Sequence, residues 1–155
     1  DGEVSYSDDA GDSFATLDNA GESNVHVAFD SYFGDNGVVY AASDSIYRCS
    51  DLEEGKWKDL DAEEEYFGIV LDNAAGNPMT DKDTGGVLYA VYDGGMARVL
   101  GAVSNKIEDY LINGAPGEGA FTIEPSALRI CDSGNNLLWA INTLEYDRSK
   151  GKLLF

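Results

Sequence analysis

The sequence contains an internal repeat, and this repeat restricts the fold more than any other feature. Residues 38–42 read Val-Val-Tyr-Ala-Ala, residues 87–91 read Val-Leu-Tyr-Ala-Val, and residues 137–141 read Leu-Leu-Trp-Ala-Ile. The copies are offset by 49 and 50 residues, because they begin at positions 38, 87 and 137. A repeat of this length is typical of chains that stack one supersecondary unit against the next.

The segments around each copy indicate short β-strands. Six apolar segments flank the copies, at 25–29, 67–71 and 128–130 before them and at 45–49, 96–100 and 153–155 after them. Alternation with a period of two is typical of half-buried strands, and residues 57–60 supply a short fourth strand after the first copy. The best helical candidate, 107–112, is ended early by Gly114 and Pro116. We therefore predict an all-β fold of four-stranded antiparallel units, the blade pattern of a β-propeller.

A polar motif near the start predicts a tight hairpin. Residues 7–14 read Ser-Asp-Asp-Ala-Gly-Asp-Ser-Phe, which fits the pattern S-x-D-x-G-x-x-[WF]. We expect the Asp9 carboxylate to accept hydrogen bonds from turn N–H groups, with Ser7 bonding locally. Gly11 suits the left-handed backbone that such a turn needs. We expect the Phe14 ring to pack under the turn.

This motif resembles the Asp box, also called the bacterial neuraminidase repeat. The resemblance implies a hairpin between the third and fourth strands of a propeller blade, on the outer part of that blade. It therefore implies a structural role for Asp9 and not a catalytic one. Sialidases, xyloglucan-cleaving glycosidases, sortilin-type receptors, photosystem assembly factors and cell-surface proteins share the box, so fold and box together do not choose among these functions.

A degenerate second copy of the box lies at residues 50–57. It keeps Ser50, Gly55 and Trp57, whereas Leu52 stands where the aspartate should be. The two aromatic residues at the ends of the boxes are 43 positions apart, at 14 and 57, which is about one blade. A third copy would fall near 99–110, where Gly101 is the one residue that suggests the motif.

The repeat divides the chain into parts of successive blades. Residues 1–18 are the end of one blade, 24–61 and 66–112 are two further blades, and 121–155 are the start of another. Closed propellers usually have about four to eight blades. We therefore interpret 1–155 as a single, incomplete portion of a larger ring, which the remaining blades of a longer chain or neighbouring subunits complete. A first residue other than Met agrees with a processed product or a fragment.

The charge of the chain excludes two classes of partner. There are 29 acidic and 10 basic residues, which gives a formal net charge of −19. Nucleic acids and anionic membrane surfaces are bound through Lys and Arg, so we expect neither as a partner. We also expect no membrane insertion, because no apolar run approaches the roughly 18 residues that span a bilayer.

Several residues are candidates for catalysis or redox chemistry. Cys49 and Cys131 lie in apolar strand segments, which favours buried free thiols, with one long-range disulfide as the alternative. His26, the only histidine, points to the strand face opposite its valine neighbours and is expected to be structural. A sialidase site would need three converging arginines, a Tyr–Glu pair and an acidic group. Arg48 and Arg98 occupy equivalent positions in successive units, and cysteine stands where the sialidase signature has proline, so we expect no sialidase activity.

The loop before the second repeat copy holds the best metal candidate. Asp81 and Asp83 are carboxylates at positions i and i+2, next to Asn77 and backbone carbonyls. Oxygen donors of this kind suit calcium, although Lys82 would oppose a cation and the set is no EF-hand loop. A solvated loop without metal is the competing interpretation, and no other cofactor is expected.

These observations lead to two hypotheses about function. The first is a non-enzymatic scaffold or interaction propeller, extracellular or at the cell surface, that contacts protein or glycan partners, with a surface layer as one such assembly. The alternative is part of a carbohydrate-active enzyme, a glycosidase or sialidase-like propeller, whose catalytic residues lie partly outside this chain.

Overall fold

The computed structural model of the chain describes residues 2–22, 24–72, 81–92, 95–100, 103, 127–131 and 137–141. The described residues form eleven strands and one short helix, in this order: β1 (Ser5–Tyr6), β2 (Ala15–Thr16), β3 (His26–Phe29), α1 (Phe33–Asn36), β4 (Val39–Ala42), β5 (Ile46–Cys49), β6 (Lys58–Asp59), β7 (Tyr66–Asp72), β8 (Val87–Tyr92), β9 (Gly95–Leu100), β10 (Ala127–Cys131) and β11 (Leu137–Ile141). The strand predicted at 153–155 and the helical candidate at 107–112 lie outside the described residues.

The strands form antiparallel sheets that follow the chain. The first sheet pairs β1 with β2, the second has the order β3-β4-β5-β6, the third has the order β7-β8-β9, and the fourth pairs β10 with β11. The predicted all-β class is thus confirmed, and the unit after residue 24 has the four antiparallel strands expected of it. Helix α1 is a single turn between β3 and β4, and it ends at Gly37, whose φ of 66° is left-handed.

The first two repeat segments are largely buried on both faces, which explains their nearly continuous apolar character. All four residues of β4 are buried. One face of β4 joins a core with the third sheet, in which Tyr40 and Ile46 of the second sheet pack with Leu88 and Val99 of the third. The second and third sheets therefore pack face to face.

The outer faces of these two sheets are covered by the terminal ones. Val4 and Leu17, which lie next to the two strands of the first sheet, pack on Ala41 of the second. On the far side of the third sheet, Val91 and Met96 pack with Leu128 of β10. The four sheets are thus stacked in chain order, and β7 contacts both β3 and β10.

Successive sheets of the stack present equivalent faces in the same direction. Tyr40, the aromatic residue of the first repeat copy, packs towards the third sheet, whereas Ala41 packs towards the first. In the next copy, Tyr89 packs towards the fourth sheet and Ala90 towards the second. In both copies the aromatic residue therefore faces the next sheet in chain order, and the alanine faces the preceding one.

The predicted equivalence of the two arginines is also confirmed. Arg48 of β5 lies opposite Tyr40 of β4, and Arg98 of β9 lies opposite Tyr89 of β8. An Nη atom of Arg48 donates to the carbonyl of Val103, so this side chain extends towards the segment after the third sheet. Within the described residues, no helix is long and apolar enough to cross a membrane.

Candidate functional site

The loop at residues 7–14 is a hairpin held by side-chain hydrogen bonds. The Asp9 carboxylate accepts from the Ser13 amide at 2.9 Å, from the Ser13 hydroxyl at 2.6 Å and from the Ser7 hydroxyl at 2.8 Å. Ser7 Oγ also accepts from the Gly11 amide at 2.7 Å, and Gly11 has a left-handed φ of 95°. The bonds from Ser13 first, then that from Ser7, lower the pKa of Asp9 from 3.8 to about 2. The hydrogen bonds expected of Ser7 and Asp9 and the left-handed backbone expected of Gly11 are thus present in this hairpin.

The second hairpin, at residues 50–57, replaces the missing aspartate by its neighbour in the chain. Asp51 Oδ1 accepts from the amides of Glu53 and Glu54, each at 3.0 Å. Gly55 has a φ of 70°, and its amide donates to the Asp51 carbonyl at 3.0 Å. Leu52, at the position where the motif has its aspartate, instead packs between the first two sheets. The sequence pattern did not reveal Asp51, because its carboxylate lies one position before the expected one.

The aromatic residues that end the two hairpins differ in environment. Trp57 packs between the first two sheets, and its Nε1 donates to the Asp18 carbonyl at 2.8 Å. Phe14, by contrast, is 68% exposed, so the prediction that its ring packs under the turn is wrong. The physical reason is its place in the stack. Trp57 packs on the preceding sheet. Phe14 lies in the hairpin of the first sheet, and the described residues form no sheet on the outer side of that one.

The candidate calcium residues form a turn of their own. Asp81 Oδ1 accepts from the amides of Asp83 and Thr84, both at 2.8 Å. The carboxylate of Asp83 is exposed and lies 3.6 Å from Lys82 Nζ. Among the described residues no three His, Cys, Asp or Glu side chains are brought together as a metal site. Asn77 lies outside the described residues, and calcium binding stays a prediction.

The other candidates for chemistry have structural surroundings. Cys49 is buried, its thiol donates to the Asp51 carbonyl at 3.2 Å, and burial raises its pKa. This confirms Cys49 as a free thiol, while the side chain of Cys131 lies outside what the structure describes. His26 is half-buried, and burial lowers its pKa. Neither residue has the environment of an activated nucleophile or base.

Three carboxyl groups in the described part of the chain have clearly shifted pKa values, and all three are lowered. They are Asp9, Asp44 and Asp81, and hydrogen bonds from Ser13, Ser43 and Thr84, respectively, are the largest cause of each shift. A glycosidase acid needs a carboxyl group whose pKa is raised. These three groups therefore serve as turn and loop acceptors and not as general acids.

A buried aspartate that the sequence did not single out connects the second and third sheets. Asp30 is 3% exposed and follows β3. Its Oδ1 accepts from the Tyr32 amide at 2.9 Å and from Asn36 Nδ2 at 3.0 Å. Its Oδ2 accepts from the Gly86 amide at 3.1 Å and lies 3.4 Å from the Tyr40 hydroxyl. Since Gly86 directly precedes β8, this carboxylate ties the two sheets together.

An apolar groove of about 470 Å³ lies between the first and second sheets. It is lined by Val4, Ser5, Tyr6, Ser7, Asp8, Leu17, Val27, Phe29, Phe33, Val39 and Leu52. Val27 and Phe29 stand on one face of β3 and are 46% and 62% exposed. The rings of Phe29 and Phe33 are 4.8 Å apart and extend the apolar floor. The sequence predicts the strand at 25–29 but not the exposure of its apolar face.

The groove exists because the two sheets that form it have different widths. Within the described ranges the second sheet has four strands, whereas the first has two, β1 and β2. Strands lie about 4.8 Å apart, so roughly 10 Å of the second sheet extends beyond the first. The part that extends beyond the first sheet includes β3. On its other face, β3 is in contact with β7 of the third sheet.

Comparison with protein-family models, with curated proteins and with solved structures finds no match for this chain. The resemblance of residues 7–14 to the Asp box therefore rests on the motif and its hydrogen bonds alone.

Proposed function

We propose that this chain is a non-enzymatic interaction scaffold, a portion of an Asp-box β-propeller that contacts protein or glycan partners. The observation that carries the proposal is the open apolar strip formed by Val27 and Phe29 beside the two-stranded first sheet. Large apolar side chains that share one exposed face commonly mark an interaction site. The proposed role is to hold this strip in place on a rigid stack of sheets.

The propeller part of the proposal is supported by the way in which the sheets repeat. Tyr40 and Tyr89 each face the next sheet in chain order, and each sheet covers the one before it. The first strand of the third sheet, β7, contacts the first strands of both neighbouring sheets. Contacts between the first strands of successive blades are expected where blades surround a common axis. The two hairpins at 7–14 and 50–57 each join the last two strands of their sheets.

The interaction part is supported by the energetics of the exposed side chains. Complete burial of a Val or Phe side chain stabilises by about 1.5–3 kcal/mol. Val27 and Phe29 are about half exposed, so covering both would contribute roughly 2–3 kcal/mol. A free energy of this size is useful for partner binding, and a chain without a partner would be more soluble with polar residues here.

The proposed location is supported by the charge. A formal net charge of −19 favours solubility and loose association with cations. We propose an extracellular or cell-surface setting, where acidic scaffolds such as the components of a surface layer operate. The neighbouring blades or subunits of such an assembly are the first partners to consider.

The test is whether the groove takes up an apolar probe. Nile red is a suitable probe because it is neutral and is not repelled by the acidic chain. We expect its fluorescence to rise on addition of the protein, and to fall by about half or more in the variant Val27→Ser/Phe29→Ser. Phe14→Ser is the matched control, because it removes an exposed ring that does not line the groove. If the double variant and the control have the same effect, the groove is not the interaction surface.

A further inference from the structure

We propose that Asn36 and Gly37 form a deamidation site, at which a transient opening of the loop between β3 and β4 becomes a permanent weakening of the junction between the second and third sheets. This inference goes beyond the proposed function and does not depend on the groove. It follows from the dipeptide itself, from the hydrogen bonds that hold both residues and from the buried carboxylate beside them.

An asparagine that precedes a glycine can react with its own main chain, because glycine has no side chain to obstruct the approach. The Gly37 nitrogen attacks the Asn36 Cγ atom and loses its proton, while the Cγ–Nδ2 bond breaks and ammonia leaves. Water then opens the resulting succinimide ring at one of its two carbonyl carbons, which gives aspartate or isoaspartate. In sum, water is consumed, ammonia is released and a neutral amide becomes a carboxylate.

The folded loop holds all the reacting groups in hydrogen bonds. The Gly37 amide, whose nitrogen is the nucleophile, donates to the Phe33 carbonyl at 2.8 Å. The leaving group, Asn36 Nδ2, donates to Asp30 Oδ1 at 3.0 Å, and the oxygen on the attacked carbon accepts from the Val38 amide at 3.0 Å. Ring closure must break these bonds and turn Asn36 out of helix α1. The reaction therefore requires the loop to open.

The loop is suited to local opening. Helix α1 has four residues, far fewer than a helix needs to be stable alone, and none of them is buried. Gly34 and Asp35 are exposed to solvent. Segments with few buried contacts and an exposed backbone open far more often than the whole domain unfolds. Opening of this loop alone therefore releases Asn36 and Gly37 for the reaction.

The product of the reaction conflicts with the carboxylate of Asp30. This residue is 3% exposed, and its Oδ2 atom accepts from the Gly86 amide, directly before β8. In the aspartate product an anionic oxygen replaces Asn36 Nδ2, which lies 3.0 Å from Asp30 Oδ1. Two carboxylates at this distance repel each other, and Asp30 also loses a donor. Isoaspartate adds the same charge and one further main-chain carbon. The loop can no longer close as it did, which weakens the junction that Asp30 makes with the third sheet.

Peptide mapping by mass spectrometry measures the reaction in the whole chain, kept in a mildly alkaline buffer with or without guanidinium chloride. We expect a measurable reaction at Asn36 in the folded chain, at least about tenfold slower than in denaturant. The sequence has a second Asn-Gly pair, Asn113–Gly114, outside the described residues. In denaturant this pair is the internal reference and should react at a rate similar to that of Asn36. Equal rates at Asn36 with and without denaturant, or no reaction in the folded chain, would overturn the inference.

The variant Asn36→Asp carries the charge of the product without the chemical reaction. The charge of Asp30 should raise the pKa of the introduced carboxyl group by about one unit or more. We therefore expect the equilibrium constant for unfolding, measured with urea at neutral pH, to rise by about tenfold or more. Asn19→Asp is the matched control, because it adds the same charge at an exposed position. It should change the constant by less than about threefold.

The dependence on pH separates repulsion from the mere loss of a hydrogen bond. A carboxyl group whose pKa is raised by folding destabilises the folded state above that pKa, and no longer does so below its pKa in the unfolded chain. The deficit of Asn36→Asp should therefore be complete at neutral pH and largely gone at about pH 4. In the described part of the chain, the other charged or titratable groups near this site are Asp30, Asp35, the Tyr40 hydroxyl 3.4 Å from Asp30 and, beyond Tyr40, Arg48. They are the same in both proteins, so the difference reports the introduced group.

The outcomes divide as follows. A deficit that disappears on acidification supports the inference, and so does a variant that is unfolded at neutral pH but folds at about pH 4. A deficit of the same size at both pH values contradicts the inference, because lost hydrogen bonding would then explain it. Failure to fold at either pH contradicts it for the same reason. Stability equal to that of Asn19→Asp would show that the loop tolerates the product.

Discussion

Replacement of Asp30 tests whether one buried carboxylate joins the second and third sheets. In Asp30→Asn, one oxygen of the side chain still accepts from the Tyr32 amide and Asn36. The other is replaced by an NH₂ group, which faces the buried amide of Gly86. Two donors then face each other, and the Gly86 amide loses its acceptor. A buried donor left without a partner costs about 1–3 kcal/mol, so we expect a loss of about 2 kcal/mol in the free energy of unfolding.

Asp30→Ala should be more severe, because it removes both oxygens. The amides of Tyr32 and Gly86 then lose their acceptor, as does the hydroxyl of the fully buried Tyr40. We expect a loss of about 4 kcal/mol, which is a large part of the 5–15 kcal/mol that is typical of a domain. We therefore expect Asp30→Ala to be the least stable, Asp30→Asn to be intermediate and the unchanged protein to be the most stable.

Urea unfolding followed by circular dichroism and tryptophan fluorescence gives these free energies. The midpoint should move while the slope stays constant, because the surface exposed on unfolding hardly changes. Asp83→Asn is the matched control, since its carboxylate is 79% exposed and should change stability by less than about 0.5 kcal/mol. The reasoning is refuted if both Asp30 variants lie as close to the unchanged protein as this control does.

Three further predictions concern single residues. The pKa of Asp9 is lowered from 3.8 to about 2 in the folded chain, so its contribution to stability is complete above about pH 4 and is lost as the pH falls towards 2. The difference in stability between the unchanged protein and Asp9→Asn, measured by thermal unfolding across this range, should shrink accordingly, and a constant difference would contradict it. Cys49 should react slowly with a thiol reagent in the native protein and rapidly in urea, measured in a Cys131→Ser background, because burial raises the pKa of its thiol. Gly86→Ala should lose about 1–3 kcal/mol in urea unfolding, since an added Cβ would collide with the Ser31 hydroxyl. Unchanged stability would show that the segment before β8 can move aside.

Local features of the fold could be predicted from the sequence. The strands at 38–42 and 87–91 follow from their apolar residues, and the hydrogen bonds of Asp9 follow from groups at most four residues away. The equivalence of Arg48 and Arg98 follows from the offset of the repeat. Each of these predictions depends only on neighbours in the chain or on the repeat itself.

The features that the sequence did not reveal depend on which sheet covers which. Phe14 and Trp57 are equivalent in the motif, but only Trp57 has a preceding sheet to pack on. Asp30 is one of 29 acidic residues, and its role depends on an amide 56 positions away. The exposure of Phe29 depends on the two-strand width of the first sheet. No periodicity or local motif contains that information.

Several of the links between sheets are made by main-chain atoms, and this has a consequence for evolution. The Asp18 amide donates to the Gly55 carbonyl at 2.8 Å, and the Tyr66 amide donates to the Ser43 carbonyl at 2.7 Å. Trp57 bonds to the carbonyl of Asp18 and not to its carboxylate. Main-chain groups are the same for nearly every amino acid, so positions 18, 43 and 66 can change while these bonds persist. Descendants of one ancestral stack could therefore keep its architecture long after their sequences had diverged beyond recognition.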